Sequence, residues 1–348
     1  MLERPKGVIA SLCFAKRFYR SLRSLQNDIF NMSNFWAQLN KPFYVLAPMA
    51  GITDSAFRQI CKSFGADIVY SEMISATAIV YNSKKTLELM EFGKIERPYV
   101  IQLFGSKPEH FAIAAKFITK KVKPDGIDIN FGCAVKKVTK QGAGIALMAN
   151  LKLARQVIEA TINNTDLPVS IKIRSQVGKI TALDFLKHLS DLDIKAVMIH
   201  GRTSTQGNSG SVNYKIIKQA KKYFKGIILA NGGVKDKKSA VELLKLTGAD
   251  GIGIGQGALG KPWIFKQLRI NNYPSRPRRA EADELTIKDI YKVALEHSKL
   301  EQKLKGKQGI IEMRKHLCWY MGGLKNASEL RKDLVKIRSL EEIKKILK

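Results

Sequence analysis

The chain has 348 residues, 45% of them hydrophobic, enough for a sizeable core in one large domain with a small companion. Its net charge of +30, from 60 Lys+Arg against 30 Asp+Glu, favours a polyanionic partner such as nucleic acid. No stretch reaches the roughly 18 uninterrupted apolar residues of a membrane span, and Cys13, Cys61, Cys133 and Cys318 form no C-x-x-C pair, which argues against a structural zinc site and a disulfide framework.

Residues 1–31 carry a short apolar patch, Leu12 to Phe14, flanked by Lys16, Arg17, Arg20 and Arg23. That is too little for a secretory signal. An Arg-rich, acid-poor transit peptide is one reading. The other is an upstream extension with a mis-assigned start, since Met32 directly precedes the first segment that reads as domain sequence. From residue 41 to 270, short apolar runs alternate with amphipathic helical patterns. The runs are 44–47, 66–70, 99–103, 126–129, 169–173, 196–199, 227–230 and 251–254, several β-branched as in strands buried on both faces. Helices are expected near 55–63, 108–121, 151–162, 182–190, 214–223 and 237–246; the stretch after Glu72 gives no clear pattern. This alternation predicts an α/β fold, a (β/α)8 TIM barrel, whose chemistry sits at the C-terminal ends of the strands. Residues 271–284, with Pro274, Pro277 and three arginines, read as a linker. Residues 285–348 read as a small all-helical domain. Its apolar face holds Ile287, Ile290, Tyr291, Ala294 and Leu295, and Lys288, Lys292, Lys299 and Lys303 share another face, which plain solvation would also explain.

The strand ends carry the unusual residues: Pro48, Met49 and Ala50; Glu72; Gln102; Asn130 to Cys133; Lys172 to Arg174; His200 to Arg202; Asn231, Gly232 and Gly233; and Gly255, Gln256 and Gly257. The glycines of the last two clusters let backbone N–H groups approach a phosphate, a task that the loops after strands seven and eight often perform; glycines that merely turn the chain are the plainer reading. Lys172, at the mouth of an apolar strand, either meets an anion such as the N1–O2 edge of a reduced flavin or snorkels to solvent. His200 is a donor to the same edge or a structural histidine. Gln102 offers both a donor and an acceptor to a ring edge. A lone cysteine is more often a small hydrophobe than a catalyst, but Cys133 stands in a glycine-flanked loop on the rim, followed by Lys136, Lys137 and Lys140.

In order and spacing these motifs resemble those of the tRNA-dihydrouridine synthases, almost continuously from residue 46 to 268. The matching segments are Leu46-Ala47-Pro48-Met49-Ala50-Gly51-Ile52-Thr53-Asp54, Gln102-Leu103-Phe104-Gly105, Asp128-Ile129-Asn130-Phe131-Gly132-Cys133, Lys172-Ile173-Arg174, His200-Gly201-Arg202-Thr203, Asn231-Gly232-Gly233 and Gly255-Gln256-Gly257. Arg314-Lys315-His316 and Trp319-Tyr320 are similar to the bacterial subgroup with a helical RNA-binding domain. Two positions depart from the family pattern: Ala134 stands where Pro usually follows the cysteine, and Gln256 where Arg often does.

The resemblance implies FMN-dependent reduction of the C5=C6 bond of uridines in tRNA, with NADPH or NADH as reductant and Cys133 as proton donor to C5. It implies a cofactor site of Pro48, Met49, Ala50, Gln102, Lys172, His200, Asn231, Gly232, Gly233, Gly255 and Gln256. Asn130, Arg174, Arg202, Lys137, Arg314 and Lys315 would meet the tRNA. No metal and no membrane contact are expected, and the protein is expected to be a cytoplasmic monomer. A small-molecule flavin oxidoreductase would leave the basic tail unused, and a silent RNA-binding relative would need no flavin.

Overall fold

The computed structural model describes residues 34–269 and 285–348. The expected extension, 1–31, and the expected linker, 271–284, lie outside the described residues. Eight parallel strands close into a barrel in sequential order: β1 Phe43–Leu46, β2 Ile68–Ser75, β3 Tyr99–Phe104, β4 Gly126–Asn130, β5 Val169–Arg174, β6 Ala196–His200, β7 Ile227–Asn231 and β8 Gly251–Ile254. Closure comes from β1 pairing with β8, Leu46 opposite Ile254. The (β/α)8 expectation therefore holds.

Side chains alternate across each strand, so each strand serves two cores. Outward residues such as Ile101, Ile127, Ile171, Val197 and Ile252 pack under the surrounding helices. Inward residues Val45, Tyr70, Val100, Met198 and Leu229 fill the barrel, and Trp36 closes its floor at 1% exposure, stacked on Phe35. Several helices start where short polar side chains accept orphan backbone N–H groups. Asp54 accepts from Phe57 to start Ser55–Ser63, Asn150 from Leu153 to start Leu151–Ile162, and Asn213 from Ile216 to start Tyr214–Ala220.

One strand departs from expectation. β2 runs to Ser75 with a register shift between Tyr70 and Met73, so Glu72 sits in the irregular part of the strand. Such an irregularity bends the strand locally and re-aims its side chains.

Helices Ile287–Lys305, Lys307–Tyr320, Ala327–Leu334 and Leu340–Ile346 form the C-terminal part around Ala294, Ile310, Met313, Leu317, Leu334 and Ile343. Ile287, expected on its apolar face, is 48% exposed. The buried stripe continues instead through Ala294, His297, Ser298 and Glu301. This domain docks on the first barrel helix, where His297 and His316 flank the Phe57 ring at 5.6 Å and 5.1 Å between centroids.

Candidate active site

A cavity of about 900 Å³ opens at the C-terminal ends of the strands. Pro48, Met49, Ala50, Gln102, Asn130, Cys133, Lys172, Arg174, His200, Arg202, Asn231, Gly232, Gly233, Gly255 and Gln256 all line it. Residues scattered over more than 200 positions thus meet because parallel strands bring their C-terminal ends to one rim.

Beneath Cys133 lies a buried polar chain. Asp128 accepts from Ser170 Oγ and from Gln102 Nε2, both at 2.7 Å. Gln102 Oε1 accepts from Asn130 Nδ2 at 2.8 Å. Asn130 Oδ1 in turn accepts the backbone N–H groups of Gly132 and Cys133, at 3.1 Å and 2.9 Å. The Asn130 amide is therefore committed to shaping the cysteine loop, and its direct contact with a substrate is not needed to explain it. Gln102 keeps one N–H and one lone pair for a ligand. Burial pushes the Asp128 carboxyl up to about 6, against the pull of its hydrogen bonds from Gln102 and Ser170. In the sequence Asp128 is no more than one letter of a motif. Its role comes from pairings between different strands, which no local pattern displays.

The loop after Cys133 folds back on it. Ile145 N donates to Cys133 O at 3.0 Å, and Gly144 stands at φ +62°, where a Cβ would overlap that same carbonyl oxygen. On the other side Arg174 Nε donates to Gly132 O at 3.0 Å, and Arg174 Nη1 donates to Thr203 O and Gly207 O. Arg202 Nε donates to Gly210 O at 2.8 Å. Arg174 thus ties the 203–210 loop to the cysteine loop, Arg202 braces that loop at Gly210, and both line the cavity.

Lys172 and His200 share one wall. Burial holds the Lys172 ammonium down to about 8, with Arg174 adding repulsion and Asp128 pulling the other way, and no carboxylate forms an ion pair with it among the described residues. Burial, then the charges of Lys172, Arg174 and Arg202, lower His200 to about 2, so it is a neutral imidazole at pH 7. Its ring lies against Gly232, where a Cβ would come within 2.8 Å of Cδ2, and Gly232 has φ +108°. Asn231 Nδ2 donates to Gly253 O at 2.7 Å, locking β7 to β8 beside the glycines. Exposed Lys235 and Lys261 reach the same end of the cavity as Gln256, and Asn208 and Trp319 complete the lining. None of these four belongs to the expected site; Trp319 is legible in the sequence only as part of a tail motif.

Three expected residues lie off the cavity. Lys137 is exposed on the short helix Lys136–Thr139. Arg314 donates within the helical domain, to Ile337 O at 2.7 Å and to Lys336 O. Lys315 Nζ donates to Gly51 O, in the loop that follows β1.

Comparison with known proteins matches residues 45–348 to the family model described as dihydrouridine synthase (Dus). Among curated proteins the chain is similar to "Probable tRNA-dihydrouridine synthase 1" of Synechocystis sp., 31% identical over 304 residues, 86% of this chain and 84% of that protein. It is similar to "Probable tRNA-dihydrouridine synthase" of Aquifex aeolicus, 33% identical over 305 residues, 86% of this chain and 93% of that protein. A protein of that name from Rickettsia conorii is 35% identical over 295 residues, 82% of this chain and 86% of its own length. With a match over most of its length, the chain belongs to the dihydrouridine synthase family.

Proposed function

We propose that the chain is a tRNA-dihydrouridine synthase that holds FMN in the barrel mouth, takes reducing equivalents from NADPH or NADH, and saturates the C5=C6 bond of uridines in tRNA. The observation that carries this reading is the meeting, in one cavity, of a partly buried Lys172 that forms no ion pair among the described residues with a cysteine whose loop is fixed by Asn130. A partly buried ammonium with no carboxylate in ion-pair contact is costly until an anion arrives. An anionic ring edge there would pair with that charge, and neutral His200 can donate to the same edge. Gly232 and Gly233, with Lys235 and Lys261 nearby, suit a phosphate. Lys235 and Lys261 would supply the charge that Gln256 lacks.

When bound, the reduced flavin supplies a hydride to C6 of the uracil. The chain's task is then to quench the negative charge that develops at C5 and O4. The Cys133 thiol gives its proton to C5, a new C–H bond forms, and the thiolate regains a proton from water. Asn130 holds the backbone of that residue, and Asp128 and Gln102 hold Asn130. The uracil must leave its stack to reach this depth, so the tRNA has to be gripped outside the cavity. Exposed Lys288 and Lys292 on the helical domain, with Lys137 beside the cysteine loop, are suited to phosphate contact. No described helix is long and apolar enough to cross a membrane. On this reading the protein is a cytoplasmic monomer.

The test is reconstitution followed by product analysis. Apoprotein should take up FMN noncovalently and, with NADPH and unmodified tRNA, yield dihydrouridine in the nucleoside digest. Uptake of FAD alone, or no flavin uptake, would sink the reading.

A further inference from the structure

Lys305 and Lys315 lie on two helices of the C-terminal domain, yet both reach the barrel loop that follows β1. Lys305 Nζ stands 2.5 Å from Asp54 Oδ2, 2.7 Å from Glu312 and 3.3 Å from Glu301. Lys315 Nζ donates to Gly51 O. The loop between these anchors is closed on itself, with Thr53 N donating to Met49 O at 3.0 Å and Thr53 Oγ1 accepting from Met49 N at 3.1 Å. Glu72 grips its other side by accepting from Gly51 N. Met49 and Ala50 of this loop line the cavity.

We propose that Lys305 and Lys315 are positioning residues that hold the 48–54 loop in its cavity-facing shape, so that the helical domain forms part of the cofactor site as well as a grip for RNA. The proposal rests on the reading of the cavity as an FMN site. Gly51 has φ +71° and open space around it, so no packing of its own fixes it; Glu72 and Lys315 hold it from its N–H and its carbonyl. Asp54 is only 7% exposed and also starts the first barrel helix, so its ion pair with Lys305 ties that helix start to the second domain. His297, Glu301 and His316 bring ligand atoms within 4.8 Å of one another beside Asp54. Asp54, Glu301 and Glu312 likewise bring carboxylate oxygens within 4.8 Å of one another, and the Lys305 ammonium already supplies the cation between these three acids, which argues there for an ion-pair clamp over a metal site. Lys315 is thereby assigned to the loop and removed from the set of phosphate contacts.

The experiment compares the full chain with Lys315→Met, Lys305→Met and Lys315→Arg. Deuterium uptake across residues 48–54, the FMN dissociation constant and the salt dependence of tRNA binding are each measured. Losing one charged hydrogen bond should quicken uptake in this loop and weaken FMN by about tenfold in both Met variants, with the tRNA salt slope unchanged. Lys315→Arg, which keeps a donor, should restore slow uptake. Unchanged uptake in Lys315→Met overturns the clamp, as does a salt slope that falls by about one unit while FMN affinity holds, because that is a phosphate contact. If the wild-type chain binds no FMN but the Met variants still exchange faster, the flavin reading fails and the clamp stands.

Discussion

Lys172 forms no ion pair among the described residues, and the attraction of Asp128 offsets only part of its burial, which makes it a sensitive probe of what the cavity binds. Its ammonium is held near 8, below the roughly 10.4 of an unfolded lysine. A base lowered in the folded state costs stability wherever both states are protonated, so the cost is full below about pH 8 and fades as pH rises through about 10.4. Lys172→Met should therefore raise the melting temperature of the flavin-free chain at pH 7 by a few degrees, and by much less near pH 10. The same variant should bind FMN at least tenfold more weakly. A lower melting temperature at pH 7 would mean that Lys172 is already satisfied. Asp128 has the opposite sign: burial raises its carboxyl to about 6, so its ionised form costs stability above that pH, with the cost gone below about 3.9. Asp128→Asn removes that cost but turns one acceptor oxygen into a donor facing Gln102 or Ser170. Where that donor faces Gln102, Gln102 must flip and Asn130 loses its partner. Dihydrouridine formation should fall by about one to two orders of magnitude, whereas a purely structural Asp128 would leave the rate per folded molecule unchanged.

Among the elements, the stretch between β4 and helix Leu151–Ile162 is tightly constrained. Gly144→Ala puts a Cβ against the Cys133 carbonyl at a positive φ, which costs about 1–3 kcal/mol of strain and moves the cysteine. Flavin binding should persist while product formation is lost, as read by flavin absorbance and nucleoside analysis on one sample. Much of this was legible in the sequence, because polar and glycine-rich residues interrupt apolar runs at one end of every strand and the barrel brings those ends together. What the sequence withheld lies in contacts across strands and domains. The Asp128–Gln102–Asn130 chain joins β3 and β4, and the Trp36 floor joins a short turn before β1 to strands far away. The shift in β2 depends on pairing with β3, so the 66–70 run alone gave no sign that the strand continues to Ser75. Arg314 and Lys315 read as free basic residues because their partners, Ile337 O and Gly51 O, are backbone atoms that carry no pattern.

At the scale of the whole molecule, the barrel and the helical domain meet at Phe57, Asp54 and Gly51. Removing residues 285–348 would expose Phe57 and free the 48–54 loop, so the truncated chain should melt earlier and bind FMN more weakly than the full chain. Charge reversal at Lys288 and Lys292 is the cleaner probe of RNA contact, since both are exposed and neither is ion-paired among the described residues. Every lysine–phosphate pair removed in this way should flatten the log–log salt dependence of tRNA binding by about one unit, with FMN untouched. That Cys133 is the acid completing reduction of a uracil can be checked by single-turnover oxidation of pre-reduced enzyme with unmodified tRNA, wild type against Cys133→Ala. Cys133→Ala is expected to bind FMN and tRNA normally, to be reduced by NADPH at the usual rate, and to form dihydrouridine about 10²–10⁴-fold more slowly. Oxidation at the wild-type rate with full dihydrouridine yield would contradict that role for Cys133.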